Sequence, residues 1–509
     1  SLIDTARGTK KDLRSSGTDA EGTMSSSAGF SSFNSNGYSI AGQFGTWGSL
    51  NVNGEDHVSW TFRKAPKFFD VVTYTGNFTS GRTISHNLGS VPGMIIIKKT
   101  STTSNWFVYH RSLGEGKFIK LNETDPETSN TYVFDNTAPT STEFTIGEST
   151  NTNANGVTYV AYLFAHNNND GGFGPNQDQD IIKCGSFTSD GTDTITLGFE
   201  PQWVIVKQTD GSAGWFIWDT MRGWQVGDVG NDNDPYIYAN SVNAESDFTV
   251  DVGFPTATGF ETKNFGSGDY IYTAIRRGPL TTPTSATDVF NITTFGQAGD
   301  STAPAYRSTF PVDMYFEKRT DAAADWFISS RLTENLYMKT NSNAAEVADS
   351  NLDYDYMNGV YTSTGTNGAY YGWMWKRAPG YFDVVAYTGT GVAGRTVSHN
   401  LGVVPEMIWV KRRSGVDNWM VYAGDATDYL RLNTTDQTSD GDFAWNDTAP
   451  TASVFSVGSH NLVNGSGETY TAYLFATVAG VSKVGSFSHT NGSATNVDCG
   501  FSSGAKFII

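Results

Sequence analysis

Two histidines stand in matching strings, Ser85-His86-Asn87-Leu88-Gly89 and Ser398-His399-Asn400-Leu401-Gly402. An imidazole acting as general base needs a nucleophile beside it and an acid to orient it. Another copy of the stretch carries Ile195 where His86 stands, with Leu197-Gly198 in register. A catalytic base would not be exchanged for isoleucine in a series of equivalent sites, so a turn or strand-end role is expected. Two loops, Asp228-Val229-Gly230-Asn231-Asp232-Asn233-Asp234 and Asp349-Ser350-Asn351-Leu352-Asp353-Tyr354-Asp355, crowd oxygen ligands as calcium requires. Neither is a full calcium loop closed by glutamate, and Asp and Asn also favour turns by bonding their own backbone. Calcium stays an open reading, and no other cofactor is expected. No zinc spacing, phosphate loop or nucleophile elbow is present. Carboxylate pairs for glycoside hydrolysis are not recognisable from spacing. No catalytic or metal-binding residue is assigned, and no enzymatic activity is expected.

Trp106, Trp215, Trp326 and Trp419 recur at one hairpin position. An indole can stack on a sugar ring, but the alternating apolar residues that follow favour a core or sheet-face role. Trp224, Tyr236 and Tyr238 are expected as exposed aromatics at unit tips and are better sugar candidates; the glycan-binding residues stay unknown. The basic tips Lys98-Lys99, Lys318-Arg319 and Lys411-Arg412-Arg413 follow apolar strands and are expected to protect edges and pair units. Cys184 and Cys499 align to Val484 and Leu197 and read as small apolar core residues.

The elements that position these residues are repeats. Trp60-Thr61-Phe62-Arg63-Lys64-Ala65-Pro66 returns as Trp373-Met374-Trp375-Lys376-Arg377-Ala378-Pro379, an offset of 313 residues. The same offset carries the first histidine string onto the second. The hairpin tryptophans divide 313 into three units of roughly 104 residues, a normal size for a small domain. Residues 1–66 are the back part of a unit. Whole units span 67–167, 181–279, 287–379 (the most diverged) and 380–478. Polar residues 168–180 and the Pro/Thr-rich 280–286 are linkers, and 479–509 opens another unit. Both ends stop inside a unit, so an excerpt of a longer array is expected.

Within a unit the apolar period is near two. Strands are expected at Asp70–Gly76, Met94–Lys99, Trp106–Tyr109, Phe118–Asn122, Glu143–Gly147 and Val157–Ala165, with turns about every ten residues. The best helix candidate, Ala322–Asp325, is one turn at most. The fold class is all-β: a rod-like tandem array of antiparallel β-sandwich or jelly-roll-like domains.

Composition agrees. The 32 Phe, 24 Tyr and 13 Trp exclude a disordered chain. A net charge of −19 opposes nucleic-acid binding and suits solubility outside a cell. Apolar runs are strand length, too short for a membrane span. Two cysteines cannot form a disulfide framework.

The string Gly198-Phe199-Glu200-Pro201-Gln202-Trp203-Val204-Ile205-Val206-Lys207, then Trp215 to Asp219-Thr220-Met221-Arg222-Gly223, then Gly259-Phe260, resembles a repeat domain of unknown function. That domain is frequent in tail-fibre-like virion structural proteins of marine bacteriophages. The resemblance implies a β-sandwich and a virion or extracellular address, and supplies no catalytic residues. The leading expectation is a phage fibre protein that attaches to a bacterial surface glycan or protein. It is expected to form a homo-oligomer (a trimer or a polymer) and to contact other virion proteins. Two alternatives are a bacterial extracellular filament or surface-layer protein, and binding modules of a polysaccharide-degrading enzyme whose catalytic domain lies outside these residues.

Overall fold

The computed structural model describes every residue except 26–28, 43–49, 51, 53, 227–233, 249, 295–303 and 363–368. The unit at 67–167 shows the pattern. Its strands are β1 (Phe69–Thr75), β2 (Arg82–Ser85), β3 (Pro92–Lys99), β4 (Phe107–His110), β5 (Lys117–Lys120), β6 (Thr128–Ser129), β7 (Glu143–Ile146) and β8 (Thr158–Ala165). Six form an antiparallel sheet in the order β6-β5-β4-β3-β8-β1, and β2 pairs with β7 in a small facing ladder. This is a lopsided sandwich. The last strand lies between the first and the third, so the unit closes before the next begins. The pairing runs Thr158↔Thr75 to Phe164↔Phe69 on one side and starts at Tyr159↔Lys99 on the other. The other three whole units repeat the six-stranded order, and the unit at 181–279 adds a third strand to the facing ladder.

Strands form here because Val, Ile, Thr and aromatics suit a pleated surface. Residues at period two point to opposite faces, and each face has its own destination. In the unit at 181–279, Val204, Val206, Tyr272 and Ala274 fill the sandwich, whereas Trp203, Ile205, Ile217 and Ile271 join the core of the preceding unit. In the unit at 380–478, Ile408, Val410 and Leu474 face inward, while Trp409, Val421 and Tyr473 join a core shared with two other units. Burial on both faces explains the continuous apolar run of β3, where every residue from Pro92 to Lys98 is buried.

The units therefore do not meet only at their ends, as beads on a string would. The helix candidate Ala322–Asp325 is the turn of a hairpin between Met314–Arg319 and Trp326–Ser330. The short helical turns lie elsewhere, at Ala286–Asp288, Arg331–Thr333, Asp442–Trp445 and Asn461–Asn464.

Gly76 ends β1 where the loop before β8 crosses it. A Cβ there would sit 2.1 Å from the Ala154 carbonyl oxygen, and the equivalent Gly389 meets the Gly465 carbonyl at the same 2.1 Å. Both contacts are with backbone and cannot swing away. Gly76→Ala should therefore cost the first whole unit about 1–3 kcal/mol, measured as a lower urea midpoint.

Candidate functional site

Among the described residues the chemically distinctive groups lie at joints between units. Three joints repeat one set of contacts. The hairpin indole of each unit donates to a carbonyl of the unit before it: Trp106 to Arg14 at 2.9 Å, Trp215 to Lys120 at 2.9 Å and Trp419 to Lys339 at 2.9 Å. Beside each indole, backbone amides cross the joint: Glu21 to Thr100, Glu127 to Thr209 and Glu346 to Arg413, all at 2.8–2.9 Å. A second crossing bond runs from Ser104 to Thr18, from Ala213 to Thr124 and from Asp417 to Asn343.

A buried lysine completes each set. Lys98 donates to the Thr18 carbonyl at 2.9 Å and Lys207 to the Thr124 carbonyl at 3.3 Å, both across a joint. Lys411 donates to carbonyls of its own turn, Arg412 at 2.6 Å and Gly415 at 3.1 Å. Burial without a carboxylate in the hydrogen-bond set pushes all three amines down to about 8.

The first three units close in a cycle. Tyr162, on the last strand of the unit at 67–167, donates to Asp4 in residues 1–66 at 2.8 Å. Trp60, in the equivalent place in residues 1–66, donates to Asp219 of the unit at 181–279 at 3.0 Å. The last strand of that unit returns to the unit at 67–167, where His110 Nε2 lies 3.1 Å from the Tyr272 carbonyl. Asp4, His110 and Asp219 thus hold one structural position in three successive units. The next pair starts the same pattern. Phe507 packs against Trp375, centroids 5.3 Å apart, as Trp203 packs against Phe62 at 5.9 Å.

A buried ion cluster locks the first trio to the units that follow. Arg377 is 1% exposed and grips Glu200 with two bonds, Nη2 to Oε1 at 2.6 Å and Nη1 to Oε2 at 3.1 Å. Asp313 and Asp383 stand 3.6 Å from the same guanidinium, and Arg277 lies 3.3 Å from Glu200. Burial opposes a charge on Arg377, but the three carboxylates outweigh it and raise its pKa. In the equivalent place between residues 1–66 and the next unit, Lys64 pairs with Asp70 alone and is half-exposed.

The histidine strings are structural. His86 Nδ1 accepts the Leu88 amide at 3.2 Å and His399 Nδ1 accepts the Leu401 amide at 3.3 Å, which fixes the turn after each short strand. Trp106, Trp215 and Trp419 are buried as expected, but at joints as well as in their own sheets. Trp326 is only half-buried, stacks on Phe316 and lies tilted against Trp373.

Several expectations change. Trp224 is not an exposed tip: it is 3% exposed and donates to the Gly253 carbonyl at 2.8 Å. Tyr236 and Tyr238 are half-buried in an aromatic cluster with Phe216 and Phe248. The basic residues do cross joints, as in the Arg413–Glu346 pair at 2.7 Å, but Lys98 and Lys411 end central strands and do not guard an edge. Cys184 is core, whereas Cys499 is half-exposed. The loop Asp228–Asp234 lies outside the described residues except Asp234, whose carboxylate accepts the Val252 amide at 2.8 Å. In the other loop Asp349 makes a local turn with Asn351. Asp353 and Asp355 meet a residue that spacing did not suggest, Glu334, with carboxylate oxygens within 4.8 Å of one another.

Arg377→Met leaves three buried carboxylates with one arginine and should cost about 3–5 kcal/mol. Trp215→Ala, which empties the neighbouring joint, should cost a similar ~3–5 kcal/mol. Proteolysis that maps the first exposed segment should separate the two joints. A pH effect is expected at His110, whose pKa burial lowers from 6.5 to about 4, helped by the positive Arg111 nearby. The folded joint holds the ring neutral while the unfolded chain protonates it. Stability present above pH 6.5 should therefore be lost as pH falls toward 4, by up to about 3 kcal/mol. His110→Gln should flatten that slope in denaturation curves taken across the window.

No curated protein matches the chain. A family of unknown function, DUF7483, matches residues 1–279 and 340–509, leaving out most of the diverged third whole unit. With the match extending over most of its length, this chain belongs to the DUF7483 family.

Proposed function

We propose that this chain is a non-enzymatic structural and adhesive protein of a phage particle, a tail-fibre-like column that holds surface loops against a bacterial host. The observation that carries the reading is the packing of units around one another. Tryptophans, lysines and arginines that could engage a ligand face neighbouring units, as the Trp215 and Arg377 contacts show. Chemistry is spent on cohesion, which suits a part that must stay stiff outside a cell. Repeated presentation of the loops lets weak contacts add through effective concentration.

The cyclic trio also supplies, within one chain, the aromatic burial that a homotrimeric fibre builds from three. Association of several chains in the virion would then act between columns and with other virion proteins. No helix among the described residues is long and apolar enough to cross a membrane. A cellular filament or surface layer would use the same column.

Immunogold electron microscopy of native material with an antibody against this chain tests the proposal. Label on tails or fibres of virus particles is expected. Label along bare filaments or cell envelopes would replace this reading with the filament.

A further inference from the structure

Glu334 follows the single helical turn Arg331–Thr333 and is only 4% exposed. One oxygen, Oε1, accepts the Tyr354 amide at 2.6 Å. The other, Oε2, is buried and has no hydrogen-bond partner. Leaving such a group unmatched costs about 1–3 kcal/mol or more, so its surroundings call for explanation. Asp353 and Asp355 place carboxylate oxygens within 4.8 Å of Glu334 and of each other. Asp355 is exposed and forms the rim. Gly223 of the unit at 181–279 closes the inner side, where a Cβ would lie 3.5 Å from Glu334 Oε2. The pocket therefore lies on the seam between two units.

We propose that Glu334, Asp353 and Asp355 bind a calcium ion at this seam. Calcium takes oxygen ligands at roughly 2.3–2.6 Å, so opposed ligands lie at most about 5 Å apart. The observed spread fits that limit. The donors are all carboxylates, with no imidazole or thiolate to favour zinc. The charge also balances. Three carboxylates carry three negative charges, and Arg331 acts on both Glu334 and Asp355. Glu245, the other nearby acid, is paired with Arg222 at 2.7 Å. The remaining charge of two matches one divalent cation.

Isothermal titration of calcium chloride into the EDTA-treated full chain tests the site. The expected result is binding with a dissociation constant of about 10⁻⁵–10⁻³ M. Asp355→Asn, a rim substitution that leaves the core intact, should weaken it at least about tenfold. Glu334→Gln, checked for folding by circular dichroism, should abolish it. Asp349→Asn, in the same loop but with a carboxylate bonded only to Asn351 of its own turn, should leave it unchanged. Absence of binding, or binding unaffected by Asp355→Asn and Glu334→Gln, would overturn the proposal.

Discussion

A β-sheet has two faces, and in these units both are apolar. One face is covered by the unit's own facing ladder and loops. The other, with Trp203, Ile205 and Ile217 in one unit and Trp409, Val421 and Tyr473 in another, has no partner inside its own unit. An uncovered patch of that size would aggregate or bind whatever it met. The side-by-side packing, the indole pegs and the cyclic closure all follow from the need to cover it.

Apolar faces alone would tolerate several registers. Polar groups set into the joints remove that freedom. Each joint indole N–H must find a carbonyl of the neighbouring unit, and displacement by one residue would strand it. The Arg377–Glu200 lock works in the same way, because buried charges that lose their partners are far costlier than mismatched methyl groups. Specificity of assembly is the role these groups fit best. Net stability comes from the apolar area around them.

Much of the fold was legible because strand patterns are local. The runs at 94–99 and 157–165 became β3 and β8, and the Gly76 turn ends β1. The run Met94-Ile95-Ile96-Ile97 read as a strand, and its burial on both faces is what the structure adds. What covers the second face was not legible, since period two says that a face is apolar and not which unit meets it. The joint polar groups were visible only as repeat markers. Asp4-Thr5-Ala6-Arg7-Gly8 and Asp219-Thr220-Met221-Arg222-Gly223 aligned two units without showing that Asp4 and Asp219 accept bonds from their neighbours. Trp224 was misplaced because an aromatic beside a glycine reads equally as a loop tip or a core plug. Glu334 was missed because its partners lie about twenty residues on, brought back by the pairing of Leu336 with Ala348.

The cyclic trio bears on how such a chain can lengthen. Each joint is a contract between unlike neighbours: Asp4 takes a phenol, Asp219 an indole, and His110 a backbone carbonyl. Copying one unit would set a surface against a partner it does not match. Copying three together keeps the order of neighbours, and the close sequence copies do stand 313 residues apart, although Ser330 and Ala423 stand in the later copy where Asp4 and His110 stand in the first. Lengthening by whole trios preserves which faces meet, while the polar partner at each joint is free to change.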